Sequence, residues 1–177
     1  MIKLYLGCGT IDKHDDGYIN IDIREGKHID VVADLNKPLP YDNDSVDEIL
    51  AESILEHIPH NLENVPSWFK MSKTILVLSN WRNGLKVGGK LLIKVPNFEA
   101  IANYYVEKKI SPLDLIGYVC GNGEHKYNYH FALFDVGIMG ACLRGAGFKD
   151  FKFVDPQKYI EELNRKNSWE MGVVATK

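Results

Sequence analysis

Short apolar runs alternate with polar segments along the chain and predict a mixed α/β protein. The runs predict strands near residues 2–6, 18–22, 29–33, 47–51, 90–95, 150–154 and 170–176. Segments with apolar residues at helical spacing predict helices at 61–84, 97–108, 135–146 and 156–166. The pattern shows no internal repeat, linker or low-complexity tract.

The first two runs end in residues suited to holding a nucleotide. The first ends in Gly7-Cys8-Gly9, where glycines allow a sharp turn and a close approach of the backbone to a ligand. The second ends in Asp22, a carboxylate that can accept hydrogen bonds from both hydroxyls of a ribose. Because parallel strands present ligands at their carboxyl ends, this arrangement indicates a bound adenosine.

The third run also ends in an acid, Asp34. A carboxylate at this position can accept a hydrogen bond from the exocyclic amine of adenine, and Leu35 can cover the ring. The chain then continues through Leu39-Pro40-Tyr41-Asp42-Asn43-Asp44-Ser45-Val46-Asp47 and Leu55-Glu56-His57.

These motifs occur in the order found in one family. With Leu85 to Ile93, a turn leading into the fifth strand, and Ala146-Gly147-Phe148, the chain resembles the class I S-adenosylmethionine-dependent methyltransferases, most closely their small type 11 branch. The resemblance implies a Rossmann-like, mostly parallel sheet of seven strands with a C-terminal antiparallel hairpin. It also implies S-adenosylmethionine as the cofactor.

The resemblance assigns candidate cofactor-binding roles to nine residues. Gly7, Cys8 and Gly9 would cradle the methionine moiety, and Asp22 would bind the ribose. The adenine would lie at Asp34 and Leu35, and the segment from Ser53 to His57 would form the floor near the reactive methyl group. The full set is Gly7, Cys8, Gly9, Asp22, Ile23, Asp34, Leu35, Ser53 and His57.

The connections between the first three strands depart from the family pattern. About eleven residues around Thr10 to Asp16 separate the first two strands, and Arg24 to His28 separate the next two, whereas a parallel crossover usually contains a helix. We therefore expect helices to be reduced on one face of the sheet. That face would expose apolar area, so we expect a homodimer to cover it, or else the segment from Tyr104 to Tyr129. Without the first helix, a methionine carboxylate would depend on the loop amides alone.

The segment 117–135 combines glycines, aromatic residues and histidines, and we expect it to reach over the strand ends and select the substrate. His57, His130 and His125 are the candidate catalytic residues because imidazoles exchange protons near neutral pH. His125 and His130 do not have the spacing of a helical metal site, so no metal is predicted. Asp135, before a helical run, is expected to cap a helix.

Composition limits the range of partners. The length of 177 residues favours a single domain over 1–177. A net charge of −3 argues against nucleic-acid binding. The absence of a long apolar run argues against a membrane segment or signal peptide, so we expect a cytoplasmic protein. The three cysteines suggest neither disulfides nor a zinc site.

The leading hypothesis is methyl transfer to a hydroxyl or amine of a small molecule, such as a sugar or other metabolite. A dinucleotide-dependent oxidoreductase is disfavoured because Asp12 stands where its fingerprint requires a third glycine. The remaining alternative is a non-catalytic subunit that binds S-adenosylmethionine or serves in assembly.

Overall fold

The computed structural model describes residues 1–59, 71–154 and 169–177. They form one seven-stranded sheet in the order β3-β2-β1-β4-β5-β7-β6. The strands are β1 (Lys3–Leu6), β2 (Ile19–Asp22), β3 (Val31–Val32), β4 (Val46–Glu52), β5 (Leu85–Pro96), β6 (Asp150–Val154) and β7 (Glu170–Thr176). Strand β7 lies between β5 and β6 and pairs antiparallel with both, whereas β1 to β5 pair in parallel. The predicted sheet and its C-terminal hairpin are confirmed.

Four described α-helices accompany the sheet: α1 (Ser72–Gly84), α2 (Phe98–Val106), α3 (Pro112–Cys120) and α4 (Val136–Gly145). Helices α2 and α4 match the predicted segments closely, and α1 matches the second half of 61–84. Asp135 caps α4 as predicted, since its carboxylate accepts a hydrogen bond of 2.7 Å from the amide of Ile138. Residues 60–70 and the predicted helix at 156–166 lie outside the described residues.

Helix α3 is a correction to the sequence analysis, which placed its last residues in a loop. A capping box begins it: the Ser111 side chain accepts from the amide of Asp114, whose carboxylate accepts from the amide of Ser111. Pro112 occupies the first turn, where its missing N–H costs nothing. The predicted loop therefore begins at Gly121.

One face of the sheet, which we call the core face, carries the main hydrophobic core. Leu4, Leu6 and Ile49 point to this face and pack with residues of α1 and α4, including the fully buried Trp81 and Leu143. Apolar positions at helical spacing on α1 and α4 thus bury the sheet on this side.

The opposite face, which carries Tyr5, Asn20 and Leu50, is the helix-poor face. Its smaller cluster is formed by Tyr5, Cys8 and Leu50, and no residue of a described α-helix belongs to it. Within residues 1–59, 71–154 and 169–177, the predicted reduction of helices on one face is therefore confirmed. Where crossover helices are absent between β1, β2 and β3, the described chain has only a short 3₁₀ helix, His14–Asp16.

The expectation that this face would be largely apolar was wrong. On this face charged side chains stand next to Tyr5 and Leu50 in the same strands. Glu48 lies 3.5 Å from Lys3 and accepts a hydrogen bond of 2.6 Å from the Tyr18 hydroxyl. Lys94 lies 3.5 Å from both Glu52 and Glu170. These ion pairs weaken the argument that a partner must cover the face, and the homodimer stays a prediction.

Hydrogen bonds around Asn20 and Asp30, rather than helices, hold the two short connections between β1, β2 and β3. The side-chain amide nitrogen of Asn20, a residue with no exposed surface, donates to Asp12 Oδ1 at 2.8 Å and to the carbonyl of His28 at 3.0 Å. Asp30 Oδ2 accepts from the amide of Asn20 at 2.7 Å and lies 2.8 Å from Nε2 of His14. The carboxyl ends of β1 and β2 are thereby fixed relative to each other.

In the part of the chain that the structure describes, no helix combines the length and the apolar character needed to cross a membrane.

Candidate active site

A cleft of about 270 Å³ lies at the carboxyl ends of β1, β2 and β4. Residues from all three predicted strand-end motifs, from the segment after β4 and from the loop after α3 line it: Gly7, Gly9, Asp22, Ile23, Arg24, Asp34, Leu35, Asn36, Ser53, Ile54, His57, Ile58, His125, Lys126, Tyr127, Asn128 and Phe131. Its volume is close to the lower end of the range for small-molecule sites. The topology thus brings eight of the nine candidate cofactor residues to one place.

The glycine loop turns beneath the side chain of Ile54. Gly7 has a φ of +65°, and a Cβ on it would lie 2.5 Å from Cγ1 of Ile54, so only glycine fits here. The amides of Gly7 and Cys8 both donate to the carbonyl of Ile21, and the amide of Gly9 donates to Asp22. These three amides are therefore engaged within the protein, and the expectation that the loop amides alone hold a ligand carboxylate stays a prediction.

Cys8 is the one predicted cofactor residue that does not line the cleft. Its side chain is buried in the helix-poor cluster with Tyr5 and Leu50. Burial, followed by the nearby charge of Asp22, raises the pKa of the thiol to about 11. This cysteine is thus a packing residue with little thiolate character.

Asp22 is held by its neighbours in an ionised form. Its carboxylate accepts hydrogen bonds from the amide of Gly9 at 2.8 Å, the amide of Arg24 at 2.9 Å and the Arg24 Nε at 3.1 Å. Burial opposes ionisation, but these donors outweigh it and keep the pKa of Asp22 below its usual value. Arg24 also approaches His125, with 3.3 Å between Nη1 and Nε2.

Arg24 brings a cation to the glycine loop, a feature that the sequence analysis missed. Its Nη2 lies 3.3 Å from where a Cβ of Gly9 would be, and the side chain lines the cleft. The only signal in the sequence was its position two residues after Asp22. A guanidinium here can bind a carboxylate in place of the absent helix N-terminus.

Asp34 and Leu35 lie at the other end of the cleft. The Asp34 carboxylate accepts hydrogen bonds from the backbone and side-chain amides of Asn36, at 3.0 and 2.9 Å. Burial opposes ionisation of this carboxyl group, but the hydrogen bonds from Asn36 outweigh it and keep the pKa of Asp34 below its usual value. Leu35 and Ile23 both line the cleft and give it apolar surface. Leu35 is almost fully buried, whereas Ile23 is 39% exposed.

The loop that follows α3 covers the cleft, as expected for the segment 117–135. His125, Lys126, Tyr127 and Asn128 line the cleft. The loop begins at Gly121, whose φ is +78° and where a Cβ would lie only 2.1 Å from the carbonyl oxygen of Asn128. A glycine is therefore required for the loop to fold back on itself.

Hydrogen bonds to the 3₁₀ helix Leu55–His57 fix the far end of this loop. The amides of Phe131 and Ala132 both donate to the carbonyl of Glu56, at 2.8 and 3.1 Å. The carbonyl of Tyr129 lies 3.0 Å from Nδ1 of His57. These contacts place His130 next to the Leu55-Glu56-His57 segment.

A second cavity of about 230 Å³ adjoins the cleft. Three residues line both cavities: Ser53, His57 and Asn128. The rest of its lining comes from the 3₁₀ helix Leu55–His57, the end of β5, helix α3, the loop after α3 and the residue before β7: Glu56, Pro96, Gly117, Tyr118, Gly121, Asn122, His130 and Trp169. Ser53 stands at the junction with a φ of +49°, which is an unusual conformation for a residue other than glycine.

Glu56, His57 and His130 form a cluster at this second cavity. One potential ligand atom from each lies within 4.8 Å of those of the other two, and the two imidazole rings meet edge to face at 4.8 Å. Burial lowers the pKa of both histidines. It also raises the pKa of Glu56 to about 8. All three groups therefore tend towards their neutral forms.

The structure separates the three candidate catalytic histidines. His57 and His130 lie together at the second cavity, whereas His125 lies in the cleft beside Arg24. The sequence analysis did not single out Glu56. The spacing argument against a metal concerned His125 and His130 and did not compare His57 with His130, which are brought together only by the fold.

Of the comparisons with known proteins, the one with solved structures identifies the fold. Neither protein-family profiles nor curated proteins give a match. Among solved structures, a SAM-dependent methyltransferase from Archaeoglobus fulgidus is similar, with a TM-score of 0.59 and 18% identity over 99% of this chain and 85% of that one. A SAM-dependent methyltransferase from Thermotoga maritima has the same score and identity, over 99% and 82%. One from Aquifex aeolicus has a TM-score of 0.55 and 15% identity, over 99% and 81%. The predicted Rossmann-like methyltransferase fold is therefore confirmed.

Proposed function

We propose that this chain is an S-adenosylmethionine-dependent methyltransferase of the small type 11 branch, acting on a hydroxyl or amine of a small molecule. The observation that carries the proposal is the pair of adjoining cavities. One is lined by the strand-end acids and glycines, the other by two histidines, and they meet at Ser53, His57 and Asn128. The fold, which is that of methyltransferases, supports the same reading.

The residues of the first cleft fit S-adenosylmethionine. Asp22 is ionised and can accept hydrogen bonds from ribose hydroxyls, and Asp34 can accept one from the adenine amine. Arg24 lies beside the glycine loop, where it would pair with the carboxylate of the methionine moiety. Bound there, the cofactor would supply a methyl group that its positive sulfur makes electrophilic.

The residues of the second cavity suit a small acceptor. At about 230 Å³ it has room for a small metabolite. Carbonyl hydrogen bonds orient His57 and His130, and both present neutral imidazoles. The loop from Gly121 to Phe131 would keep water out and align the acceptor with the methyl group, and alignment of this kind supplies several kcal/mol of barrier reduction.

Calorimetric titration tests the cofactor. We expect S-adenosylmethionine and S-adenosylhomocysteine to bind the purified protein, NAD to bind much more weakly, and Asp22→Asn to weaken the two sulfur compounds. A screen of small hydroxyl and amine acceptors, read by formation of S-adenosylhomocysteine, then tests turnover. Failure to bind either sulfur compound would overturn the proposal, and binding without turnover on any acceptor would favour the non-catalytic alternative.

A further inference from the structure

Three side chains with metal-binding chemistry converge at the second cavity, although they come from two distant parts of the chain. Glu56 and His57 belong to the 3₁₀ helix after β4, and His130 belongs to the loop after α3. We propose that Glu56, His57 and His130 bind a divalent transition-metal ion of the zinc type. This ion would coordinate an oxygen or nitrogen atom of the acceptor in the second cavity.

Hydrogen bonds engage Nδ1 of each imidazole and leave Nε2 available for an ion. Nδ1 of His57 lies 3.0 Å from the carbonyl of Tyr129, and Nδ1 of His130 lies 3.0 Å from the carbonyl of Tyr118. Because a carbonyl oxygen only accepts, Nδ1 carries the proton in both rings, and the lone pair is on Nε2. Metal-bound histidines are commonly oriented in this way by a backbone carbonyl.

Glu56 supplies a buried carboxylate. The residue is 2% exposed, and no described residue donates a hydrogen bond to its Oε2 atom. A buried polar atom without a partner costs free energy. Beside two imidazole lone pairs an ionised Glu56 meets only acceptors, so either a proton on Glu56 or a cation must lie among the three groups. A cation among these three groups would satisfy all of them at once.

The ligand set decides the class of ion. Two imidazoles with one carboxylate suit zinc and its neighbours in the first transition series, whereas magnesium and calcium prefer oxygen ligands alone. At zinc–ligand distances of about 2.0–2.1 Å, tetrahedral ligand atoms lie about 3.4 Å apart. The three groups, now within 4.8 Å of one another, must therefore approach by up to about 1.4 Å. Three protein ligands would leave a position open for an acceptor oxygen or nitrogen.

The backbone holds the two halves of the site together. The amides of Phe131 and Ala132 both donate to the carbonyl of Glu56, so the residues that follow His130 are fixed against the segment that carries the other two ligands. Binding of the ion by this cluster does not depend on the proposed function. Its role towards the acceptor does, since it rests on methyl transfer in the adjoining cleft.

Zinc binding by the chelator-treated full chain tests the site without any enzymatic activity. We expect calorimetry with zinc chloride to show about one ion per chain, and cobalt to give the visible absorption of a low-symmetry site. Glu56→Gln, which keeps the side-chain shape, and His130→Ala should each weaken zinc binding at least tenfold. His125→Ala is the matched control: it removes a nearby histidine outside the cluster and should leave zinc affinity unchanged.

The outcomes separate this proposal from the proposed function. Substoichiometric zinc binding, or wild-type affinity in both Glu56→Gln and His130→Ala, would overturn the metal site. If either variant fails to fold by circular dichroism, the cobalt spectrum of the wild-type protein decides, since a spectrum identical to that of aqueous cobalt also overturns it. S-adenosylmethionine binding without zinc binding refutes only the metal site, and zinc binding without S-adenosylmethionine binding refutes only the methyltransferase proposal.

Discussion

The carboxylate of Asp22 accepts a hydrogen bond of 2.8 Å from the amide of Gly9. This bond joins the two motifs that first indicated a nucleotide, the glycine loop after β1 and the acid at the end of β2. The Gly9 amide is thereby no longer free to donate to a ligand. The carboxylate of Asp22 is therefore the group that can contact a ribose.

Replacing Asp22 tests this arrangement. We expect Asp22→Asn to weaken S-adenosylhomocysteine binding about 10- to 100-fold, since hydrogen bonds to a charged group contribute roughly 1.5–3 kcal/mol. Calorimetry measures the change. The control is Asp16→Asn, at an exposed position in the connection between β1 and β2, and this variant should bind S-adenosylhomocysteine normally. Unchanged affinity in Asp22→Asn would show that the nucleotide does not use this carboxylate.

Arg24 is predicted to bind the amino-acid end of the cofactor. Arg24→Ala should weaken S-adenosylhomocysteine about tenfold or more but leave methylthioadenosine, which lacks the carboxylate, nearly unaffected. Arg24→Lys keeps the charge without the planar fork and should fall in between. Equal weakening of both ligands would mean that Arg24 acts through its contacts with Asp22.

Asn20 is predicted to stabilise the helix-poor side of the sheet. Asn20→Ala removes the donor to Asp12 and to the His28 carbonyl at a fully buried position. We expect it to lower the free energy of unfolding by about 2–3 kcal/mol, measured by urea denaturation. Asn103→Ala, at an exposed position on α2, should change it by less than about 0.5 kcal/mol, and a similar loss in both variants would contradict the role of Asn20.

The ion pairs of His14 predict a pH dependence of stability. The hydrogen bond to Asp30, followed by that to Asp12, raises the pKa of His14 above its ordinary value of 6.5. Since the folded protein binds this proton more tightly, the contribution is complete below the unfolded pKa and is lost as pH rises through the folded pKa.

Urea denaturation of the wild type and His14→Gln checks this dependence. Their difference in unfolding free energy should be larger at about pH 6 than at about pH 8.5. The same comparison in an Asp12→Asn background should show a smaller pH effect, because one of the two carboxylates is then neutral. A difference that does not vary with pH would contradict the assignment.

Gly121 is predicted to be required for closure of the loop over both cavities. Gly121→Ala would place a Cβ against the carbonyl of Asn128, so we expect faster amide hydrogen exchange across residues 121–131. Gly123→Ala is the matched control: it has a similar φ of +67°, but its Cβ would meet only the Tyr129 ring at 3.4 Å or more. It should incur the left-handed strain of about 1–2 kcal/mol without opening the loop, and equal exchange in both variants would contradict the prediction.

The sequence revealed most of the sheet but less of the site. The strands were predictable because each is a short apolar run bounded by turn residues, and the strand-end acids followed from them. Helix α3 was missed although Ser111, Pro112 and Asp114 form a recognisable capping signal. The charges of the helix-poor face were also visible in the sequence, since Lys3 and Glu48 each stand two positions from a buried residue of that face, but its polar character was not predicted.

By itself, the sequence determined the order of the strands along the chain, the position of the glycine loop and the acids at the ends of β2 and β3. These depend on local spacing, which a single segment carries. Only the tertiary structure decided that Arg24 approaches Gly9 and that His130 lies beside Glu56 and His57. Those relationships arise from the path of a loop fixed by long-range hydrogen bonds, and no local pattern encodes such contacts.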